Sequence, residues 1–200
     1  MTEPILFYFD FSSPYGFFAS RDIDALAKRH GRIVTWKPIL LGAVFKHTGI
    51  KPLTTIPLKA DYTQRDLARE ARRLDVDFRL PQAFPFASIA AARAFYWLWD
   101  QDPEKAKSLA QALFEHAFIA GQDISKPHAV LEVGRTLGLA TSDLEVALSD
   151  PAVKDRLRQE VEAAIAAGVF GSPFVLVDGE PFWGYDRFPR IQAWLETGGW

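Results

Sequence analysis

The tetrapeptide Ser13-Pro14-Tyr15-Gly16 is the stretch of this chain whose residue types and position could support chemistry. The apolar run Ile5–Phe9 before it predicts a buried strand, and Pro14 suits the first residue of a helix. Ser13 would therefore lie where a strand becomes a helix. Its side chain would face unpaired backbone N–H groups and the positive end of a helix dipole, and such a place stabilises a negative charge.

The same four positions correspond to the Cys-x-x-Cys motif of thioredoxin-like oxidoreductases. Ser13 replaces the attacking cysteine and Gly16 replaces its partner. The chain contains no cysteine, which excludes disulfides, thiolate metal sites and a cysteine nucleophile. Any thiol chemistry would therefore need a thiol that a ligand supplies.

Composition excludes several classes of partner. The chain has 200 residues, 48% of them hydrophobic, which is enough to bury a core. Its formal net charge is −2 without a basic run, so we expect no nucleic acid and no membrane as a partner. The apolar run Ile5–Phe9 is too short for a signal peptide or a membrane span, and a cytoplasmic location is expected.

Motifs for other kinds of catalysis are missing. The four histidines are His30, His47, His116 and His128, and none has a carboxylate or second histidine at metal-ligand spacing. We therefore expect no metal site. The sequence also lacks a glycine-rich phosphate loop and a nucleophile elbow, which argues against nucleotide-dependent enzymes and serine hydrolases.

The N-terminal segment predicts a strand, a helix and a second, parallel strand. The helix is expected from about Pro14 to His30 and the strand over residues 33–38, with the two strands parallel because such crossovers are right-handed. Residues 39–60 are broken by glycines and prolines and predict an irregular loop. A charged amphipathic helix follows over residues 60–74.

The middle of the chain predicts a block of helices. Its aromatic residues are interpreted as core rather than as a cofactor cage: Phe95, Tyr96, Trp97, Trp99, Phe114 and Phe118. The expected helices cover residues 88–99, 103–120, 127–137, 142–148 and 151–166.

The C-terminal segment predicts a loop, a strand and a turn over residues 169–180, then a short strand over residues 181–183 and a last helix over residues 188–196. Ser172-Pro173 precedes the first of these strands, and we expect this peptide bond to be cis. The fold class is therefore α/β, a thioredoxin-like core with a large all-helical insertion. Residues 1–40 and 167–200 would form the discontinuous core, and residues 41–166 the connecting loop and the inserted helical domain.

Four motifs in order along the chain resemble those of the 2-hydroxychromene-2-carboxylate isomerase family, which is related to kappa-class glutathione transferases and has a DsbA-like thioredoxin fold. These motifs are Asp10-Phe11-Ser12-Ser13-Pro14-Tyr15, Leu40-Leu41-Gly42-Ala43-Val44-Phe45-Lys46, Phe170-Gly171-Ser172-Pro173 and Trp183-Gly184-Tyr185-Asp186-Arg187. The resemblance implies that glutathione is the cofactor.

The resemblance also implies roles for individual residues. Ser13 would hold the glutathione sulfur and act in catalysis, and the Ser172 backbone would bind the glutathione peptide as an added strand does. The γ-glutamyl end would lie on Trp183, Gly184, Tyr185 and Asp186. Lys46 and Lys59 match positions that are basic in relatives and could bind a carboxylate of glutathione or substrate; solvated surface lysines are the alternative.

The implied reaction interconverts 2-hydroxychromene-2-carboxylate and trans-o-hydroxybenzylidenepyruvate by reversible thiolate addition, with a small aromatic substrate and a homodimer as the assembly. One alternative is a kappa-class-like transferase that conjugates glutathione to a small electrophile. Another is a thioredoxin-fold binding module without turnover. For Ser13 the alternative to catalysis is a helix N-cap, a position that serine favours.

Overall fold

A computed structural model of the chain describes residues 3–200. A four-stranded mixed sheet lies at its centre, in the order β2-β1-β3-β4. The strands are β1 (Ile5–Phe9), β2 (Val34–Pro38), β3 (Phe174–Val177) and β4 (Glu180–Trp183). Strand β2 is parallel to β1, whereas β3 is antiparallel to β1 and to β4. Both ends of the chain thus contribute strands to one sheet.

Of the helices described over residues 3–200, seven lie between β2 and β3, one lies between β1 and β2, and one follows β4. The described helices are α1 (Pro14–Arg29), α2 (Leu41–Thr48), α3 (Lys59–Arg73), α4 (Ile89–Trp99), α5 (Pro103–Phe118), α6 (Pro127–Thr136), α7 (Thr141–Ser149), α8 (Pro151–Ala166) and α9 (Phe188–Thr197), with 3₁₀ turns at Leu53–Thr55 and Tyr185–Arg187. The predicted fold class is confirmed. The domain boundaries 1–40, 41–166 and 167–200 stay a prediction. Among residues 3–200, no helix is long and apolar enough to cross a bilayer.

The loop expected over residues 39–60 contains a regular helix, α2, and the sequence prediction was wrong there. The Leu41 N–H at its first turn donates to Asp10 Oδ2 at 2.6 Å. Gly49 ends the helix with a left-handed backbone conformation at φ 75°. A residue 31 positions away therefore caps this helix, and local patterns do not reveal such a cap.

Aromatic side chains join the sheet to the helical insertion. Phe9 of β1 lies 5.6 Å from Phe114 and 5.9 Å from Phe95, measured between ring centroids. All three rings are fully buried, and each such side chain stabilises the fold by about 1.5–3 kcal/mol relative to exposure. The interpretation of the insertion's aromatic residues as core is confirmed for Phe95, Tyr96, Phe114 and Phe118, while Trp97 and Trp99 are partly buried against that core. This packing fixes the strand that leads into α1.

Candidate functional site

Ser13 is the N-cap of helix α1. Its Oγ accepts a hydrogen bond from the Gly16 N–H at 3.0 Å, and its backbone is extended. The N-cap interpretation is thus correct for Ser13, whereas the Ser12 backbone N–H donates to Asp10 Oδ1. The first turn of α1 contains no acidic residue. Capping does not exclude chemistry, because a hydroxyl can accept and donate at once.

Ser172 contacts Ser13 from the other end of the chain. The Ser13 hydroxyl donates to the Ser172 carbonyl oxygen at 2.9 Å, and Ser172 Oγ accepts from the Asp10 N–H at 2.9 Å. The Ser172 N–H has no hydrogen-bond partner among residues 3–200. The Ser172–Pro173 peptide is cis, as the sequence predicts. Ser172 therefore presents an unpaired backbone donor beside Ser13.

Gly16 leaves room for the Ser172 side chain. A Cβ at this position would lie 2.9 Å from Ser172 Oγ and 3.2 Å from Ser13 Cβ. Both distances are shorter than an ordinary van der Waals contact. The absence of a side chain at the fourth motif position is consequently what lets the two serines meet.

Asp10 is a buried carboxylate three residues before Ser13, only 2% exposed. It accepts hydrogen bonds from the Ser12 N–H, the Leu41 N–H and the Ser88 hydroxyl at 2.6–2.7 Å. Burial raises the pKa of the Asp10 carboxyl above its ordinary value, although these hydrogen bonds act to lower it. Asp10 therefore ties together the starts of three helices, a role that the sequence analysis missed. An acidic residue just after a buried strand was the available signal.

The segment predicted to hold the γ-glutamyl end lies next to Ser172. The Gly184 N–H donates to the Pro173 carbonyl at 3.0 Å, which joins this segment to the loop before β3. The Trp183 indole is 52% exposed and packs edge-on against Phe170 at 4.9 Å. A flat aromatic surface is thus available at this edge of the site.

The Tyr185 side chain is used by the fold itself. Its ring is buried, its hydroxyl donates to Asp22 of α1, and the Arg73 guanidinium lies over the ring at 5.4 Å. Burial, together with Asp22, raises the pKa of Tyr185 to about 12. The predicted contribution of Tyr185 to ligand binding would therefore come from its backbone.

Asp186 is exposed at the turn before α9, where it pairs with Arg187 at 3.4 Å. It also borders a cleft of about 600 Å³ between α1, α3 and α9, whose lining includes Tyr185 but neither Ser13 nor Ser172. The carboxylate is accessible to a ligand amine, and its predicted role stays a prediction.

Helices α2 and α3 border the site, and each carries one of the two lysines predicted to bind substrate. The Tyr15 hydroxyl donates to Asp66 of α3 at 2.7 Å. Burial raises the pKa of Tyr15, and the hydrogen bond to Asp66 raises it further. Lys46 in α2 and Lys59 at the start of α3 are exposed, and neither forms an ion pair with any residue from 3 to 200. Their roles in substrate binding remain predictions.

The described part of the chain contains no cluster of His, Asp and Glu side chains suited to a metal ion. The donors of the site are hydroxyl and backbone groups at a helix N-terminus, which suit an anionic or peptide-like ligand.

Comparison with known proteins identifies the family of the fold. The family model for the DSBA-like thioredoxin domain matches residues 4–196. Glutathione s-transferase kappa 2 of Caenorhabditis elegans is 29% identical over 204 residues, 96% of this chain and 91% of that protein. 2-hydroxychromene-2-carboxylate isomerase of Sphingobium xenophagum is 27% identical over 198 residues, 98% of this chain and 99% of that protein.

A solved structure of 2-hydroxychromene-2-carboxylate isomerase superposes with a TM-score of 0.87 at 26% identity, covering 97% of this chain and 95% of that one. The resemblance noted from the sequence motifs is confirmed by these relatives. Because the family model covers almost the whole length, this chain belongs to the DSBA-like thioredoxin domain family.

Proposed function

We propose that this protein is a glutathione-dependent isomerase of aromatic catabolism that interconverts 2-hydroxychromene-2-carboxylate and trans-o-hydroxybenzylidenepyruvate. The name of the Sphingobium xenophagum relative and the TM-score of 0.87 to an isomerase of that name support the proposal. A cytoplasmic location, a small aromatic substrate and a homodimer belong to the same proposal.

The observation that carries the proposal is the pairing of Ser13 with Ser172. Among the described residues, the Ser172 N–H is unpaired, and the Ser172 carbonyl accepts only from the Ser13 hydroxyl at 2.9 Å, so an added strand could reach both backbone groups. A peptide that adds in this way would place a central side chain near the N-terminus of α1. The residues present therefore fit glutathione, and the absence of cysteine makes an external thiol necessary.

Glutathione, when bound, supplies the thiol whose reversible addition to a conjugated C=C bond allows rotation about that bond. The Ser13 hydroxyl would donate to the sulfur, and the dipole of α1 would favour negative charge on it, each worth about 1 kcal/mol. The exposed Asp186 carboxylate would pair with the ligand's free amine. Lys46 and Lys59 would attract the carboxylate of the substrate.

The test combines calorimetry with an isomerisation assay. The purified protein should bind glutathione and should isomerise the substrate only when glutathione is present, without consuming it. Ser13→Ala should lower turnover about tenfold or more at neutral pH, with partial recovery at higher pH, because the bound thiol loses a donor that favours its anion. Ser12→Ala is the matched control, since Ser12 does not cap α1. No binding of glutathione at millimolar concentration would contradict the proposal.

The second candidate is a kappa-class-like transferase, which the 29% identical Caenorhabditis elegans protein favours. Such an enzyme would conjugate glutathione to a small electrophile and release the conjugate. Loss of free thiol during turnover identifies it, whereas an isomerase returns all the thiol. A binding module would show calorimetric binding and neither activity.

A further inference from the structure

The Ser13 hydroxyl has a single hydrogen, and that hydrogen is already in use. Ser13 Oγ lies 2.9 Å from the Ser172 carbonyl oxygen, which carries no hydrogen, so the hydroxyl must be the donor. One lone pair of Ser13 Oγ accepts from the Gly16 N–H at 3.0 Å. In this arrangement Ser13 offers a neighbouring sulfur only a lone pair, which suits a neutral thiol rather than a thiolate.

Releasing the hydrogen has a cost at Ser172. No other described residue donates to the Ser172 carbonyl oxygen. If the Ser13 hydroxyl turned toward a bound sulfur, the Ser172 carbonyl would lose its donor. Water could not replace that donor, because the bound ligand would cover the carbonyl. An acceptor left unpaired in this way is destabilising. The hydroxyl should therefore turn only when another donor reaches the Ser172 carbonyl.

The unpaired Ser172 N–H indicates where such a donor would come from. A strand that accepts from this N–H brings its own N–H to the carbonyl of the same residue, as in a β-bridge. We infer that the Ser172 carbonyl holds the Ser13 hydroxyl until a peptide N–H of the ligand replaces it, so that the site ionises thiols carried on a peptide and not simple thiols. This inference rests on the proposed function, since it concerns the same ligand site.

The exchange would make Ser172 a specificity-determining residue through its backbone. A peptide thiol supplies the replacement donor, frees the Ser13 hydrogen for the sulfur and sends the thiol proton to solvent. A thiol without that N–H leaves the hydroxyl on the carbonyl and stays protonated. The cell's simple thiols would then enter without becoming nucleophiles.

The test compares two ligands on two proteins. The ligands are glutathione and its depsipeptide, in which an ester oxygen replaces the cysteine N–H. The proteins are the wild type and Ser13→Ala, which has no hydroxyl to release. The thiol pKa of each bound ligand is measured from thiolate ultraviolet absorbance against pH, and is compared with the same ligand free in solution. Affinity is measured by calorimetry.

Binding to the wild type should lower the thiol pKa of glutathione by at least about one unit more than it lowers the thiol pKa of the depsipeptide. At a pH below both pKa values, this corresponds to a tenfold difference in thiolate content. In Ser13→Ala this difference between ligands should vanish. Affinity for the depsipeptide should fall less than about tenfold, because Ser13 keeps the Ser172 carbonyl paired.

Three results would overturn the inference while leaving the proposed function intact. The two bound ligands could titrate with equal shifts in the wild type, or their difference could persist in Ser13→Ala. A depsipeptide too weakly bound to saturate the site would also overturn it, since the N–H would then act in binding rather than in ionisation. Failure of glutathione itself to bind would instead contradict the proposed function.

Discussion

The close approach of Gly16 to Ser172 leads to a quantitative prediction about Gly16→Ala. Alanine is favoured over glycine within a helix by about 1 kcal/mol. At Gly16, however, the new Cβ would lie 2.9 Å from Ser172 Oγ and 3.3 Å from the Asp10 carbonyl oxygen. Overpacking of this kind costs about 1–3 kcal/mol. The net effect should be a destabilisation of about 1 kcal/mol.

Gly42 supplies the matched control. It lies in helix α2, is exposed, and a Cβ built there meets nothing within 4 Å. Gly42→Ala should therefore stabilise the protein by up to about 1 kcal/mol. The two alanine variants should differ by about 2 kcal/mol in the free energy of unfolding, or by about 4–8 °C in Tm for a chain of this size.

The assay is urea unfolding followed by circular dichroism, repeated in a Ser172→Ala background. Removing Ser172 Oγ takes away the 2.9 Å contact, so Gly16→Ala should be less destabilising there by about 1 kcal/mol. The cycle subtracts the loss of the Asp10 N–H hydrogen bond, which both Ser172→Ala proteins share. Equal stabilisation by Gly16→Ala and Gly42→Ala would refute the reasoning, and so would strict additivity with Ser172→Ala.

Three further predictions follow from the site and its surroundings. Asp10→Ala should lower the free energy of unfolding by about 3 kcal/mol, because three donors lose their acceptor. Urea unfolding checks this, with Asp77→Ala at an exposed position as the control. Asp186→Ala should weaken glutathione binding about tenfold or more in calorimetry without changing Tm, and equal affinity would place the γ-glutamyl end elsewhere. The raised Tyr185 pKa means that the fold favours the protonated phenol, so stability should be lost as pH rises from about 10 to about 12. Tyr185→Phe should flatten that alkaline loss in urea unfolding, and an unchanged slope would contradict the assignment.

The sequence by itself determined the elements that depend on neighbouring residues. The aromatic run before Ser13, the proline after it and the glycine-ended helices are local patterns, and they correctly predicted the strand, helix α1 and most of the insertion. The absence of cysteine excludes a protein thiol on composition alone. Ser13 is a candidate because it lies where a strand becomes a helix, and Ser172 is a candidate because its motif resembles that of a known family.

Only the tertiary structure decided which hydrogen-bond partners these residues have. Ser13 meets Ser172 across 159 positions, and Tyr185 meets Asp22 across 163 positions. Helix α2, predicted as a loop, is capped by Asp10 rather than by a residue of its own segment. Periodicity and turn residues encode the backbone over a few positions, whereas a hydrogen bond between distant residues exists only after the sheet and helices have packed. For that reason the sequence could name the Ser13 hydroxyl but could not reveal that the Ser172 carbonyl already holds its hydrogen.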